Sequence, residues 1–258
     1  MGCRLLPASP LIFAWLWYIF VFSSLPPLSP ELWDLWQDQA HSPAFNMAAD
    51  ETLLETAAQR GRPLLRYYAW DCLAVSIGYI QRYNAAPEGF AVVRRPTGGG
   101  VVYHDHDFTY TLVFPQGHWL TELDRNQSYD HINRCILQAL GSMQLATRLA
   151  DNDISSEVDR QAMVCFTNPT RYDILLDERK VAGSAQRRNQ YGILHQGSLH
   201  FGGPLPVARE TLATAIQDAF TNMLNISFQT FRPDPELLQK INLLAREKYN
   251  CPEWNQRR

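Results

Sequence analysis

An α+β domain with a mixed or antiparallel sheet is the fold class this chain predicts, on three observations. Two segments, 73–79 and 108–114, alternate with a period of two. Four amphipathic segments carry helical spacing. The two kinds of segment are interspersed without a regular βαβ rhythm, and neither an internal repeat nor a low-complexity run is present.

The elements follow in chain order. Residues 11–22, LIFAWLWYIFVF, are unbroken apolar sequence behind a single arginine and ahead of SSLPPLSP. The run is too short for a stable membrane span. An export signal is one reading, but Arg4 is the only positive charge ahead of it and a clear A-x-A site is missing, so a removable or non-native leader over residues 1–30 is the expectation. Residues 46–61, NMAADETLLETAAQRG, read as a helix with Asn46 as cap, Asp50 and Glu51 in its first turns and Gly61 as its stop. Leu73, Val75, Ile77 and Tyr79 form one face of a strand, and Phe108, Tyr110, Leu112 and Phe114 one face of another. Ser128 is read as the cap of a helix running to Gly141. RYDILL and GILHQGSLHF read as two strands around a DERK turn. Leu212, Ile216, Ala219, Phe220 and Met223 mark a further helix, and Asp234-Pro235 opens the last.

Composition excludes several classes. With 258 residues, 46% hydrophobic and 19% charged, the chain is long enough to bury a full core. A net charge of -3 argues against a general nucleic-acid binder. The five cysteines form no C-x-x-C pair and are odd in number, which points to neither a disulfide framework nor a zinc knuckle and fits a reducing, cytoplasmic setting.

Two segments carry chemistry. In RRPTGGGVVYHDHDFTYTLVFP, residues 94–115, three glycines stand between an arginine pair and a strand. A P-loop requires Lys-Ser/Thr after its glycines, and a Rossmann fingerprint requires G-x-G-x-x-G; neither is present. The triplet marks a tight turn or a place where backbone lies against a ligand. KVAGSAQRR, residues 180–188, joins a lysine to a flexible glycine and small residues beside a strand, where an ammonium can reach a carbonyl.

RRPTGGGVVYHD, the Lys-x-x-Gly-Ser-Ala-Gln segment, a Gly-Ser strand and the preceding NMAADETLL, in this order, resemble the catalytic domain shared by lipoate-protein ligases, octanoyltransferases and, more distantly, biotin ligases. The likeness runs from about Trp33 through the closing EKYNCPEWNQRR. It implies the class II synthetase-like fold of that domain over residues 31–258. In that family the Gly-rich segment closes over an acyl chain and the motif lysine meets the reacting carbonyl. The resemblance therefore implies substrate contacts for Arg95, Gly98, Gly99, Gly100, His104, Gly183, Ser184 and Ala185. Residue type alone leaves Arg94 and Arg95 equally at home in salt bridges.

Within the family the cysteine-dependent octanoyltransferase branch is the nearer likeness. AMVCFTNPTRYDILLDERKVAGSAQ places Cys165 in a Cys-Phe-x-x-Pro loop fifteen positions before Lys180, and HDHDFTYTLVFP resembles the transferase pattern more than the ligase His-Asp-x-Gly-Asn. The sequence stops shortly after these motifs, as expected of a transferase beside ligases that carry an accessory domain. Two departures stand against this. Gly100 sits where transferases commonly have arginine, and Gln196 directly precedes Gly197 where the family usually has histidine, leaving His195 to face the other side of its strand.

The implied chemistry is a two-step thioester exchange, with octanoyl-acyl carrier protein as donor and a lipoyl-domain protein as acceptor, such as a glycine cleavage H protein or a 2-oxoacid dehydrogenase acyltransferase subunit. Cys165 is the expected acyl acceptor and Lys180 its activator, because a neutral thiol is a poor nucleophile until a cationic neighbour favours the thiolate. Cys72 and Cys135 read as small buried hydrophobes on a strand and a helix. No cofactor is expected on this reading. ATP and Mg would enter for the alternative, an ATP-dependent lipoate ligase, and a non-catalytic acyl- or carrier-protein-binding module is the third possibility.

Overall fold

The structure, a computed structural model, describes residues 30–151, 158–167 and 169–258. The apolar leader lies outside these residues. The strands are β1 (Glu31–His41), β2 (Leu64–Trp70), β3 (Ala74–Ile77), β4 (Ala91–Arg94), β5 (Val102–His104), β6 (Phe108–Pro115), β7 (Thr147–Leu149), β8 (Ile174–Leu176), β9 (Arg179–Asn189), β10 (Gly192–Leu199) and β11 (Ile226–Thr230). The longer helices are α1 (Pro43–Glu55), α2 (Arg125–Ser142), α3 (Arg209–Leu224) and α4 (Pro235–Leu244). An eight-stranded sheet has the order β11-β1-β2-β6-β10-β9-β8-β7, and a three-stranded sheet the order β4-β3-β5. β1 runs parallel to β11 and β2, while β2 through β10 and on to β7 pair antiparallel, so the large sheet is mixed as the sequence predicts.

Burial on both faces explains the sequence of β6. Phe108, Tyr110, Leu112 and Phe114 face the core formed with α2 and α3, where Ile136, Leu140, Ile216 and Phe220 are fully buried. Val113 faces the opposite core with Met47, Leu53 and Leu54 of α1. Burying these five side chains contributes on the order of 10 kcal/mol before the entropy of ordering them is subtracted. Gly61, at φ +67, ends the short helix after α1, and Asp177 and Glu178, both at positive φ, make the tight β8–β9 turn. Asp234 caps α4 by accepting from Leu237 N at 2.8 Å, with Pro235 in the first turn.

Four expectations are corrected. The first helix starts at Pro43, not Asn46, because Ser42 is the residue with extended backbone whose hydroxyl accepts from Phe45 N. Asn46 instead sits inside the helix and donates to Ala69 O of β2 at 2.9 Å. α2 is capped by Asp124 in a reciprocal box with Gln127, so Ser128 lies one turn inside and buried. Residues 180–188 do not lie beside a strand but belong to β9, of which Ala182 to Asn189 pair with β10. Cys72 is exposed at the bend between β2 and β3, whereas Cys135 is buried on α2 as expected.

Candidate active site

The cysteine loop is anchored on the glycine segment. Cys165 opens a single 3₁₀ turn, Cys165–Thr167, and its amide donates to Val101 O at 2.8 Å while Val101 N donates to Met163 O at 2.9 Å. The two backbones lie so close that a Cβ on Gly100 would stand 2.6 Å from Met163 O and 2.8 Å from Cys165 N. Gly100 is therefore required by protein backbone rather than by a ligand, which answers what its place in the triplet is for. Arg95 staples the same loop: Nε and Nη2 donate to Gly98 O, Nη2 to Gly100 O at 2.7 Å, and Nη1 to Ser76 O at 2.8 Å. Its donors are spent on the loop it was expected to share with substrate. Arg94 has a different task, holding Gly78 O and Gln81 O on one side and Asn255 O on the other.

Lys180 reaches Cys165 because β9 is irregular. Ile174 pairs with Ala182 but Leu175 with Lys180, so Val181 is an extra residue in the ladder. Strict alternation would put Lys180 on the face of Ala182, against α2. The bulge turns it to the other face, where a Cβ on Gly183 would stand 2.4 Å from Lys180 Cε. Gly183 thus leaves the channel along which the lysine folds. Lys180 Nζ lies 3.3 Å from Cys165 Sγ and 2.7 Å from Asp173 Oδ2, with its side chain 2% exposed. Burial opposes the ammonium, but the charges on Cys165 and Asp173 and the hydrogen bonds to both outweigh it and hold Lys180 above the usual lysine range. Asp173 Oδ2 also accepts from Thr170 N and Oγ1 at 2.7 and 2.8 Å, tying the strand to the cysteine loop.

The Cys165 side chain faces a cavity walled by Met47, Trp70, Val102 and Phe166 together with Gly99, Gly183, Ser184, Ala185 and Gly197. Gly99 takes φ +88, closed to other residues, and forms the partition between this cavity and a neighbouring cleft that Gly98 also lines. Polar groups in the wall are held by neighbours. His104 Nδ1 lies 2.8 Å from Asp107 Oδ2, its Nε2 lies 2.9 Å from Ser76 Oγ, and its ring stacks on Trp70 at 3.8 Å. Burial disfavours the Asp107 carboxylate, yet His104, Ser198 and Thr109 together hold it below the usual carboxylate range. Gln196 accepts from Thr97 Oγ1 at 2.6 Å and donates to the buried Asp50 at 2.7 Å.

Of the predicted residues, Cys165, Arg95, Gly99, His104, Gly183, Ser184 and Ala185 meet at one cavity, with Lys180 at the thiol; Gly98 turns to the adjacent cleft and Gly100 to the cysteine loop. Sequence reading missed Asp173, Asp107 and Asp50. Asp50 passed for a first-turn acid, but it is fully buried and accepts from Arg66, Tyr68, Thr111 and Gln196. Asp173 could have been found as a polar residue beginning an apolar run, RYDILL.

Comparison with known proteins bears on the family and the fold. The chain is 30% identical to octanoyltransferase LipM of Anoxybacillus flavithermus and 29% identical to that of Bacillus subtilis, each across 90% of this chain and all of the relative. The fold matches that of Ta0514 from T. acidophilum, described as a putative lipoate protein ligase, with a TM-score of 0.71 and 21% identity over 90% of this chain and all of that one. Residues 42–229 match the lipoyl protein ligase A/B catalytic domain, and the chain belongs to that family.

Proposed function

We propose that the chain is a protein octanoyltransferase that carries the octanoyl group on Cys165 between a thioester donor and the lysine of a lipoyl domain. One observation carries the reading. A buried ammonium sits 3.3 Å from a thiol that opens on an apolar cavity. The octanoyltransferase relatives support the same conclusion.

In the first step the Cys165 thiolate attacks the carbonyl carbon of an octanoyl thioester, for which octanoyl-acyl carrier protein is the proposed donor. A C–S bond to Sγ forms, the bond to the donor sulfur breaks, and the donor leaves as a thiolate that takes up a proton. Because the Cys165 amide is committed to Val101 O, the Lys180 ammonium is the donor placed to stabilise first the thiolate and then the oxyanion. Asp173 keeps that ammonium in place. In the second step the neutral amine of the lipoyl-domain lysine attacks the Cys165 thioester, an amide forms, the amine loses its proton, and Sγ returns as a thiolate beside Lys180. Burying the acyl tail along Met47, Trp70, Val102 and Phe166 contributes about 5 kcal/mol of binding, at about 0.8 kcal/mol per methylene.

Intact-mass spectrometry tests the reading. Octanoyl-acyl carrier protein without ATP adds one octanoyl group to the wild type and none to Cys165→Ala, which also loses transfer. Full transfer by Cys165→Ala would sink the mechanism, and modification only after ATP and free octanoate are supplied would return the assignment to a ligase.

A further inference from the structure

Across Gly99 from the acyl cavity lies a second cleft that the chemistry above leaves unused. Arg125, Arg160, Arg187 and Arg188 line it together with Tyr79 and Gly98, and among the described residues none of the lining is acidic. That concentration of cations stands out in a chain of net charge -3. Arg188 is spent on the protein, donating to Leu123 O at 2.7 Å and Ser128 Oγ at 2.6 Å. The guanidinium groups of Arg125 and Arg160 make no hydrogen bond or ion pair among the described residues, and both residues are exposed. Arg187 approaches Glu51 at 3.7 Å and lies 5.9 Å from the Tyr79 ring centre. Arg257 adds to the field at the rim, its guanidinium 3.9 Å from the Tyr79 ring centre.

We propose that this cleft binds the phosphate of the acyl donor's arm, so that a phosphorylated pantetheine-type thioester is held beside Cys165. The proposal rests on the reading of Cys165 as acyl acceptor. Uncommitted guanidinium groups match phosphate oxygens in geometry and charge. Position agrees, since Gly99 is wall to both spaces and an arm whose acyl end enters the cavity has its next length at the cleft. Charge also separates the two substrates: the cleft draws in an anionic arm but repels the ammonium of an acceptor lysine. A phosphate has two sources, the donor's arm or a nucleotide, and the test separates them.

Single-turnover acylation of Cys165 is followed by intact mass with octanoyl-phosphopantetheine and with octanoyl-pantetheine, which lacks the phosphate. The wild type is expected to prefer the phosphorylated thioester by about tenfold or more in kcat/KM, a preference that shrinks with salt. The doubly substituted Arg125→Ala/Arg160→Ala protein is expected to lose that preference, and Arg232→Ala, with an exposed arginine outside the cleft, to keep it. Equal rates with the two thioesters in the wild type, or an undiminished preference in the double variant, overturn the proposal. It also falls if the substitutions weaken only ATP-dependent use of free octanoate, which makes the phosphate a nucleotide's, or only the KM for the lipoyl domain, which makes the cleft the acceptor's. No gain of mass at Cys165 from either thioester defeats the thioester reading itself, a result distinct from acylation without phosphate preference.

Discussion

The two faces of the β9–β10 hairpin each bury a basic side chain, and they treat it in opposite ways. On the cavity face Lys180 is buried and charged, with Asp173 and the Cys165 thiol both within hydrogen-bonding distance. On the helix face His195 is fully buried and neutral, with Gln186 as partner at one ring nitrogen and, among the described residues, none at Nε2. Burial penalises the charge in both places. What differs is the supply of anions, and it decides which base is buried with its charge and which without.

The largest effect is expected from removing the paired cation. Lys180→Ala leaves the thiol and the oxyanion without their ammonium, and transfer is expected to fall by about 10²–10⁴-fold. Alkylation of Cys165 by iodoacetamide at neutral pH, followed by peptide mapping to separate it from the exposed Cys72, is expected to slow as well. Lys180→Arg retains charge but not reach, so it should recover more of the alkylation than of the transfer. Unchanged alkylation in Lys180→Ala would remove Lys180 as the thiol's partner.

Gly183→Ala perturbs the same pair by space instead of charge. The added methyl meets Lys180 Cε at 2.4 Å and Nζ at 2.7 Å, so the lysine must leave its channel. Transfer is expected to drop by about 10²-fold, the scale of a misplacement of about 1 Å. Thermal unfolding of Gly183→Ala separates a displaced lysine from a loss of fold. Wild-type transfer in Gly183→Ala would show that the lysine does not need this path. Asp173→Asn keeps the shape and the capacity to accept at one oxygen while removing the anion. A loss of about tenfold is expected in kcat, with the KM of the thioester donor nearly unchanged; a rise in KM alone would point to a role in binding.

How much of this was legible in the sequence depends on the range of the interaction that decides it. β6, α3 and the Asp234-Pro235 start of α4 were readable because local spacing and capping fix them. β1 and β2 were not. ELWDLWQDQAH and LLRYYAW put polar residues into the sheet, and Arg66 is tolerated there only because Asp38 and Asp50, far away in sequence, bind it at 2.7 and 2.8 Å. β9 was placed beside a strand and not in one, since Lys, Gly, Ser and Arg carry turn character, while its pairing with β10 comes from the hairpin as a whole. In the site, motif and spacing pointed to Cys165 and Lys180. The bulge at Val181 that turns the lysine toward the thiol, and Asp173 that holds it, depend on strand register, which a residue pattern does not carry.

The smallest effect is expected on the other face, where it appears in stability and not in transfer. Gln186 Oε1 accepts from Ser128, and this orients its NH₂ toward His195 Nδ1, so the imidazole accepts there and stays neutral. Burial pushes the His195 pKa down to about 3. The facing Tyr110 and Tyr129 are both shifted upward by burial, remain uncharged across the acid range and offer no counter-ion. Below pH 6.5 the unfolded chain therefore binds a proton that the folded chain refuses, and stability falls as pH drops, at about 1.36 kcal/mol per unit. By about pH 5 the loss from this residue is about 2 kcal/mol. Asp107, whose carboxyl is held below its ordinary range, loses its contribution only at still lower pH and does not confuse the interval. His195→Gln removes the titrating group, and urea unfolding between pH 7 and pH 5 should then show a shallower fall in stability than in the wild type. An equally steep fall in His195→Gln would mean that the pH dependence arises elsewhere and that the helix face does not exclude a charge in the way the cavity face retains one.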